Sequence, residues 1–440
     1  MKNGIAATIL GLTAALWANV AAEAAVQTVT KCGDVYGSVV LGADLVGTQG
    51  NCLTVMANGV TIDGNGHRIS APGFAIAWID RSDVTVENVV SSKGIQIYGA
   101  NANRNVVANS TFGSVAIYMG DDNVVRDSKI GSLVVKGLYN QPPLRTVITG
   151  NTIEGPAAKL IYFSPDGDGQ VLCARSDSLI ENNFIHSTFD AATNTEDYVL
   201  LYLRCGTHNT IADNTMVSHG RARGIYMRDN ADDNLIQGNS VWINQGDRAA
   251  FHFSTGNIDK HAPRNNVIDH NVFRADATRS IFIQSPGFQG NIFTRNLFWS
   301  NAAQGAWIAG GTANVFDHNT FFNGPSSGFL LVFQNVTAPG NSYTNNILAG
   351  SGWSLFGFSG SFDVRGYHAD YNVFSWQGVQ PYGQAALASW RQQTGADAHS
   401  IAADPLFVDP SVGNFQLQAG SPALTTASDG GAAGAFGAGS

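Results

Sequence analysis

Eight short stretches of this 440-residue sequence alternate polar with apolar residues, and laid in register they bring chemically active side chains into two columns. One column reads Tyr162, Tyr202, Tyr226 and His252. The other, two residues further along each stretch, reads Lys136, Ser164, Arg204, Arg228 and Ser254. Aromatic faces stack on sugar rings, guanidinium forks clamp carboxylates, and phenols and imidazoles move protons. The pattern therefore points to a chain of acidic sugars. Tyr226 and His252 are the candidate base and acid, with Arg204 and Arg228 neutralising the substrate carboxylate. Lys136, Tyr162, Tyr202 and Arg248 are further substrate contacts. Nine of the 24 basic residues fall between Arg204 and Arg279, which concentrates positive charge on this part of the chain. The competing reading is an aromatic ladder that only stabilises its sheet by cross-strand pairing.

Period-2 strands must position these residues. They are Gly94-Ile-Gln-Ile-Tyr98, Ala116 to Gly120, Leu133 to Lys136, Ile161 to Ser164, Leu201 to Arg204, Ile225 to Arg228, Phe251 to Ser254 and Ile281 to Gln284. Alternation sends Leu201, Leu203, Ile225, Met227, Phe251 and Phe253 inward, and a slip of one residue would expose all six while burying Tyr, His and Arg. An asparagine followed by alternating apolar residues recurs at intervals of about 20 to a little over 30 residues, apart from one of 42 between Asn109 and Asn151. It stands at Asn88, Asn109, Asn151, Asn183, Asn214, Asn239, Asn271, Asn296, Asn319, Asn346 and Asn372. At a bend, Asn tolerates left-handed backbone, and stacked copies can hydrogen-bond to one another. These asparagines are read as structural. The repeat length is that of a three-strand coil in a solenoid, and 50 Gly with only 13% charged residues suit many tight turns.

Lys2, the apolar run Ile5 to Val20 and the small-x-small site Ala22-Glu23-Ala24 read as a signal peptide over residues 1–24. No later run is apolar and long enough for a membrane span, so a secreted or periplasmic location is expected. In an oxidising compartment the four cysteines are expected to pair as Cys32–Cys52 and Cys173–Cys205, one coil apart each. Zinc is disfavoured because no C-x-x-C pair or Cys/His cluster is present. A net charge of −9 argues against a nucleic-acid partner.

The segment Val60-Thr-Ile-Asp-Gly-Asn-Gly-His-Arg-Ile69 resembles the opening rung of right-handed parallel β-helix proteins, the broad group with pectate lyases, alginate-modifying enzymes and tailspikes. Trp390 to Ser400, Asp404-Pro-Leu-Phe-Val-Asp-Pro410 and Gly420-Ser-Pro-Ala423 are similar to the closing segment of secreted members. The resemblance implies an all-β, single-stranded right-handed parallel β-helix over residues 25–380. A capping segment with a short helix, Gln384 to Thr394, follows over 381–440. His399 and Asp397 are read as parts of that cap. Neither the Arg-x-Pro-x-x-Arg of pectate lyases nor the Asp-Pro-His-Asp of alginate C5-epimerases is present.

On such a fold the expected activity is a polysaccharide lyase or C5-epimerase on a uronic-acid polymer, starting with removal of the C5 proton. A glycoside hydrolase would need two carboxylates flanking the bond, and a non-catalytic binding or surface protein would use the same aromatics. Both alternatives stay open. No cofactor is required, although Asp166, Asp168, Glu196 and Asp197, in two insertions beside the columns, could offer Ca²⁺ oxygen ligands. The expected partner is an anionic polysaccharide, met by a monomer.

Overall fold

A computed structural model describes residues 26–138, 141–164, 173–189, 198–245, 249–256, 261–284, 287–324, 328–378 and 382–437. The segment read as a signal peptide lies outside these. Among the described residues three long parallel sheets of 15, 14 and 12 strands make up the body, and the chain visits them in turn. One such coil runs through Thr210–Ala212 in the first sheet, Thr215–Arg221 in the third and Arg223–Arg228 in the second. Each strand pairs with its equivalent in the next coil. The coil starts earlier than Val60, because Thr61–Asp63 is already the third strand of the first sheet, after Gln27–Val29 and Val39–Leu41.

The interior is filled by inward members of all three sheets. Phe251, Phe273, Phe293, Phe298, Phe316 and Phe321 are fully buried, and Phe293 stacks on Phe316 at 4.6 Å between ring centres. A three-residue strand such as Val267–Asp269 buries only Ile268. One coil cannot hold a core of its own, and stacking supplies it.

Between the first and third sheets the expected asparagine column is present. From Asn151 through Asn183, Asn214, Asn239, Asn271, Asn296, Asn319 and Asn346 to Asn372, each donates its backbone N–H and its Nδ2 to the next Oδ1. The left-handed backbone falls on the residue before each of these, for example Asn182, Asp213, His270 and Arg295, with φ between 51° and 54°. The two duties assigned to one asparagine are thus divided between neighbours. Asn88 and Asn109 belong to the left-handed position, with φ of 55° and 48°. The ladder position after them is held by Val89 and Ser110, and by Ser128 one coil further on, each donating its backbone N–H to the next ladder side chain.

A second ladder joins Asn209, Asn234, Asn266, Asn291, Asn314 and Asn341 by the same bonds. Each stands five residues before a member of the first, so Asn-x-x-x-x-Asn was its sequence signal.

The C-terminal segment closes the stack. The helix Gln384–Thr394 ends at Gly395, whose φ of 71° turns the chain and whose N–H returns to the Arg391 carbonyl. Ile401–Ala402 adds the last strand of the third sheet. Buried Asp397 terminates the first ladder by accepting from Asn372 Nδ2, Ser400 Oγ, Tyr367 Oη and Trp390 Nε1. His399 meets Asp370 at 2.8 Å and stacks on Tyr371. Both residues serve the cap. The chain then returns as a strap across the outer face of the third sheet, where Phe407, Phe415 and Leu417 pack against Leu297, Trp299 and Ile347.

Asp397→Ala strands four donors in a buried site. Unfolding in urea should show a loss of about 3–5 kcal/mol, with a smaller loss for Asp397→Asn; an unchanged midpoint would remove Asp397 from the role of terminator.

Candidate functional site

The second sheet carries the expected columns in the expected register. Tyr162 pairs with Tyr202, Tyr202 with Tyr226 and Tyr226 with His252. The column continues into Phe282 and Trp307. Ring centres follow at 5.4, 5.0, 4.7 and 4.9 Å from Tyr162 to Phe282, all stacked, and Trp307 meets Phe282 edge-on at 6.1 Å. One strand spacing per ring makes that stacking the natural packing of the column. The neighbouring column holds Tyr98, Tyr118, Lys136 and Ser164 in register, then Arg204, Arg228 and Ser254.

Exposure departs from expectation. Tyr202, Tyr226 and His252 point away from the core of the coil yet retain only 5%, 6% and 1% of their surface. Stacking covers both faces of each interior ring, and cations lie alongside. Lys159 Nζ is 4.4 Å from the Tyr162 ring centre, the Arg223 guanidinium 4.3 Å from Tyr226 and that of Arg279 4.7 Å from Phe282.

These cations form a third outer column, three residues ahead of the aromatic one, that strict alternation would have put inside. The chain bends there with two successive inward residues, Leu160-Ile161, Leu200-Leu201 and Ala250-Phe251, all fully buried. Parity is reversed upstream of the bend. The signal was a basic residue at fixed offset in Lys159-Leu-Ile-Tyr162, Arg223-Gly-Ile-Tyr226 and Arg279-Ser-Ile-Phe282.

Arg204 and Arg228 stand in adjacent rungs, but not as open clamps. Both reach Oδ2 of Asp229 through Nε, at 3.1 and 3.2 Å, and the Asp229 side chain is 1% exposed. Its Oδ1 accepts from the backbone N–H of Gly256 at 2.8 Å and from Thr255 Oγ1 at 3.3 Å. Asp229 follows its strand at a left-handed corner, φ 53°, which turns the side chain back beneath both guanidinium groups. A Cβ at Gly256 opposite would displace the Arg228 guanidinium from this position. Two cations sharing one carboxylate leave a net positive cluster, and Arg228 keeps 31% of its side chain exposed.

The disulfides Cys32–Cys52 and Cys173–Cys205 are both formed, with Cα atoms 4.6 and 4.7 Å apart. Cys205 occupies the corner equivalent to Asp229 one rung earlier, so the second bridge is fastened beside the arginine pair. Arg248 lies outside the described residues, as do Asp166, Asp168, Glu196 and Asp197. Among the described residues no three His, Cys, Asp or Glu side chains converge as metal ligands.

Burial pushes the Tyr202 phenol up to about 12, against the opposing pull of Arg228. At neutral pH this hydroxyl is a proton donor, not a base. Burial works to lower the Arg228 guanidinium, yet Tyr202, Tyr226 and Asp229 outweigh it and leave it raised. The Tyr226 hydroxyl pairs with Ser254 Oγ at 2.7 Å, and its ring lies flat on His252. A phenol and an imidazole therefore stand one rung apart beside a partly exposed guanidinium.

Residues 142–321, which include the column from Tyr162 to Trp307, match the family model described as the right-handed beta helix region. This chain is a right-handed parallel β-helix. Among solved structures it is similar to the A-module of a mannuronan C-5 epimerase from Azotobacter vinelandii, at 10% identity and a TM-score of 0.48, covering 87% of this chain and 92% of that one. A tailspike protein of the E. coli bacteriophage HK620 in complex with a pentasaccharide gives 12% identity and a TM-score of 0.41, covering 83% and 72%. The Dettilon tailspike protein gives 12% and 0.40, covering 66% and 57%. No curated protein sequence matches the chain. Among the described residues no helix is long and apolar enough to cross a membrane.

The raised Tyr202 group predicts an alkaline weakness. A phenol that ionises near 10 when unfolded and near 12 when folded leaves stability intact below pH 10 and removes it as pH rises towards 12. Unfolding free energy measured across that window should fall with pH, with a slope shallower by about one proton in Tyr202→Phe. Equal slopes would place the Tyr202 hydroxyl in water.

Proposed function

We propose that this protein binds an anionic polysaccharide along the outer face of its second sheet and acts on it as a lyase or C5-epimerase. It does so as a secreted or periplasmic monomer with no required cofactor. The reading rests on one observation: the Tyr226–His252 pair stands beside Arg228, within a ladder of rings bordered by cations on both sides.

Removing the C5 proton of a uronate shifts negative charge onto its carboxylate, and a guanidinium aimed at that group lowers the barrier. Arg228 takes this place, with Arg204 and Asp229 holding it. Tyr226 and His252 supply the base and the acid. In elimination the C5–H electrons form the C4–C5 double bond, the C4–O bond breaks and the leaving oxygen takes a proton. In epimerisation the acid delivers a different proton to C5 from the opposite face. Tyr202 stays protonated as a hydrogen-bond donor to the sugar, while Tyr98, Tyr118 and Lys136 extend the face by three rungs. Hydrolysis is poorly served, because the carboxylate at the arginine pair, Asp229, is buried and already shared.

The 1% exposure of His252 favours a second reading, in which the same face binds the polymer without turning it over. Incubating the protein with alginate, polygalacturonate, glucuronate-containing glycans and a neutral glucan distinguishes the two. Ultraviolet absorbance of the unsaturated product reports elimination, and deuterium uptake at C5 from heavy water reports epimerisation.

With the polymer that responds, Tyr226→Phe and His252→Ala should abolish turnover while retaining binding, and Arg228→Ala should lower the rate by about 10²–10³. Full activity in both Tyr226→Phe and His252→Ala would move the acid/base pair elsewhere. Binding with no product on any anionic polymer would leave the binding reading.

A further inference from the structure

The outer face of the third sheet carries a feature unconnected with the ladder. One outward column there runs Trp242, Arg274, Trp299 and Phe322 in successive rungs, then drops to Ala349 and Ser375. Where bulky residues give way to small ones a hollow opens, and the C-terminal strap walls it on the far side. Its volume is about 440 Å³, within the size range of small-molecule sites.

Two backbone features shape this hollow. Gly350, with φ 141°, lies so close to the Asn323 carbonyl that no Cβ would fit, which keeps the floor low. On the strap, Leu406 is held in the left-handed region at φ 50°, a conformation that a branched side chain resists. The Asp404 carboxylate accepts the Leu406 N–H at 2.9 Å, and the Leu406 carbonyl accepts the Gln418 N–H at 3.0 Å. These bonds hold the turn that forms the wall of the hollow.

The lining is two-sided in character. Phe322, Ala349 and Phe407 give an apolar surface, while Ser351, Ser375, Gln377 and Gln418 bring hydroxyls and amides that both donate and accept. Among the described residues Asp404 is the one charged residue lining it, and no basic side chain does. A pyranose has a matching anatomy, with an apolar C–H face and a rim of hydroxyls that each donate and accept. A uronate would meet the Asp404 carboxylate with no cation to offset it.

We propose that this hollow is a second carbohydrate site, taking one neutral hexopyranose unit. The two faces of the protein then select opposite kinds of sugar. The cationic second sheet takes acidic units, and the strap hollow takes an uncharged one. This inference does not depend on the activity proposed for the ladder.

Titrating the full-length protein with the methyl glycosides of glucose, galactose and mannose, with glucuronic acid as the charge control, tests it by calorimetry and saturation-transfer NMR. At least one neutral glycoside should bind with roughly millimolar affinity, and glucuronic acid should not compete with it. Ser375→Trp, which restores bulk to the column, should weaken that binding more than tenfold. Gln377→Ala, at an exposed rim position, should weaken it several-fold with an unchanged melting temperature, and it decides the matter should Ser375→Trp not fold. Absence of binding by all three neutral glycosides, or affinity unchanged in Gln377→Ala and Ser375→Trp, would overturn the proposal.

Discussion

A buried asparagine amide must find partners or cost about 1–3 kcal/mol for each polar group left alone, and from Asn151 to Asn346 that partner is an asparagine one coil further on. From Asn151 to Asn372 the backbone N–H and Nδ2 of one residue share the Oδ1 of the next. Only one register satisfies the whole column. The ladder tolerates sequence separations of 32, 25 and 23 residues between successive members. Every outward side chain inherits its position from that inward constraint.

The outer face of the second sheet shows what such rigid spacing allows. Rings held one strand spacing apart stack, and stacking removes them from water. Cations then settle along the edges of the column, Lys159, Arg223 and Arg279 on one flank and Arg204 and Arg228 on the other. Like charges one rung apart would repel, and Asp229 answers this by turning under both arginines from a left-handed corner. The face is therefore a charge-balanced assembly with a positive remainder, reached through Arg228.

Much of this was legible in the sequence, and the parts that were not share a cause. The coil, the second-sheet register and both disulfides follow from alternation, repeat length and export chemistry, which are local or periodic signals, and the helix at Gln384–Thr394 was implied by the resemblance of the closing segment. Alternation fails at bends. It missed Lys159, Arg223 and Arg279, because two inward residues in succession reverse parity, and it misplaced Asn88 and Asn109 by one residue. It also predicts direction without predicting cover, so Tyr202, Tyr226 and His252 were expected in solvent and are buried among their own neighbours. The role of Asp229 depends on a single backbone angle after the strand, which no spacing rule encodes.

A crystal structure of the protein with a bound oligo-uronate decides where the polymer lies. A substrate carboxylate should stand within hydrogen-bonding distance of the Arg228 guanidinium, with the C5 carbon of that sugar facing the Tyr226 hydroxyl and the His252 ring. An oligosaccharide lying on another sheet, or one on this face whose carboxylates avoid Arg228, would contradict this placement.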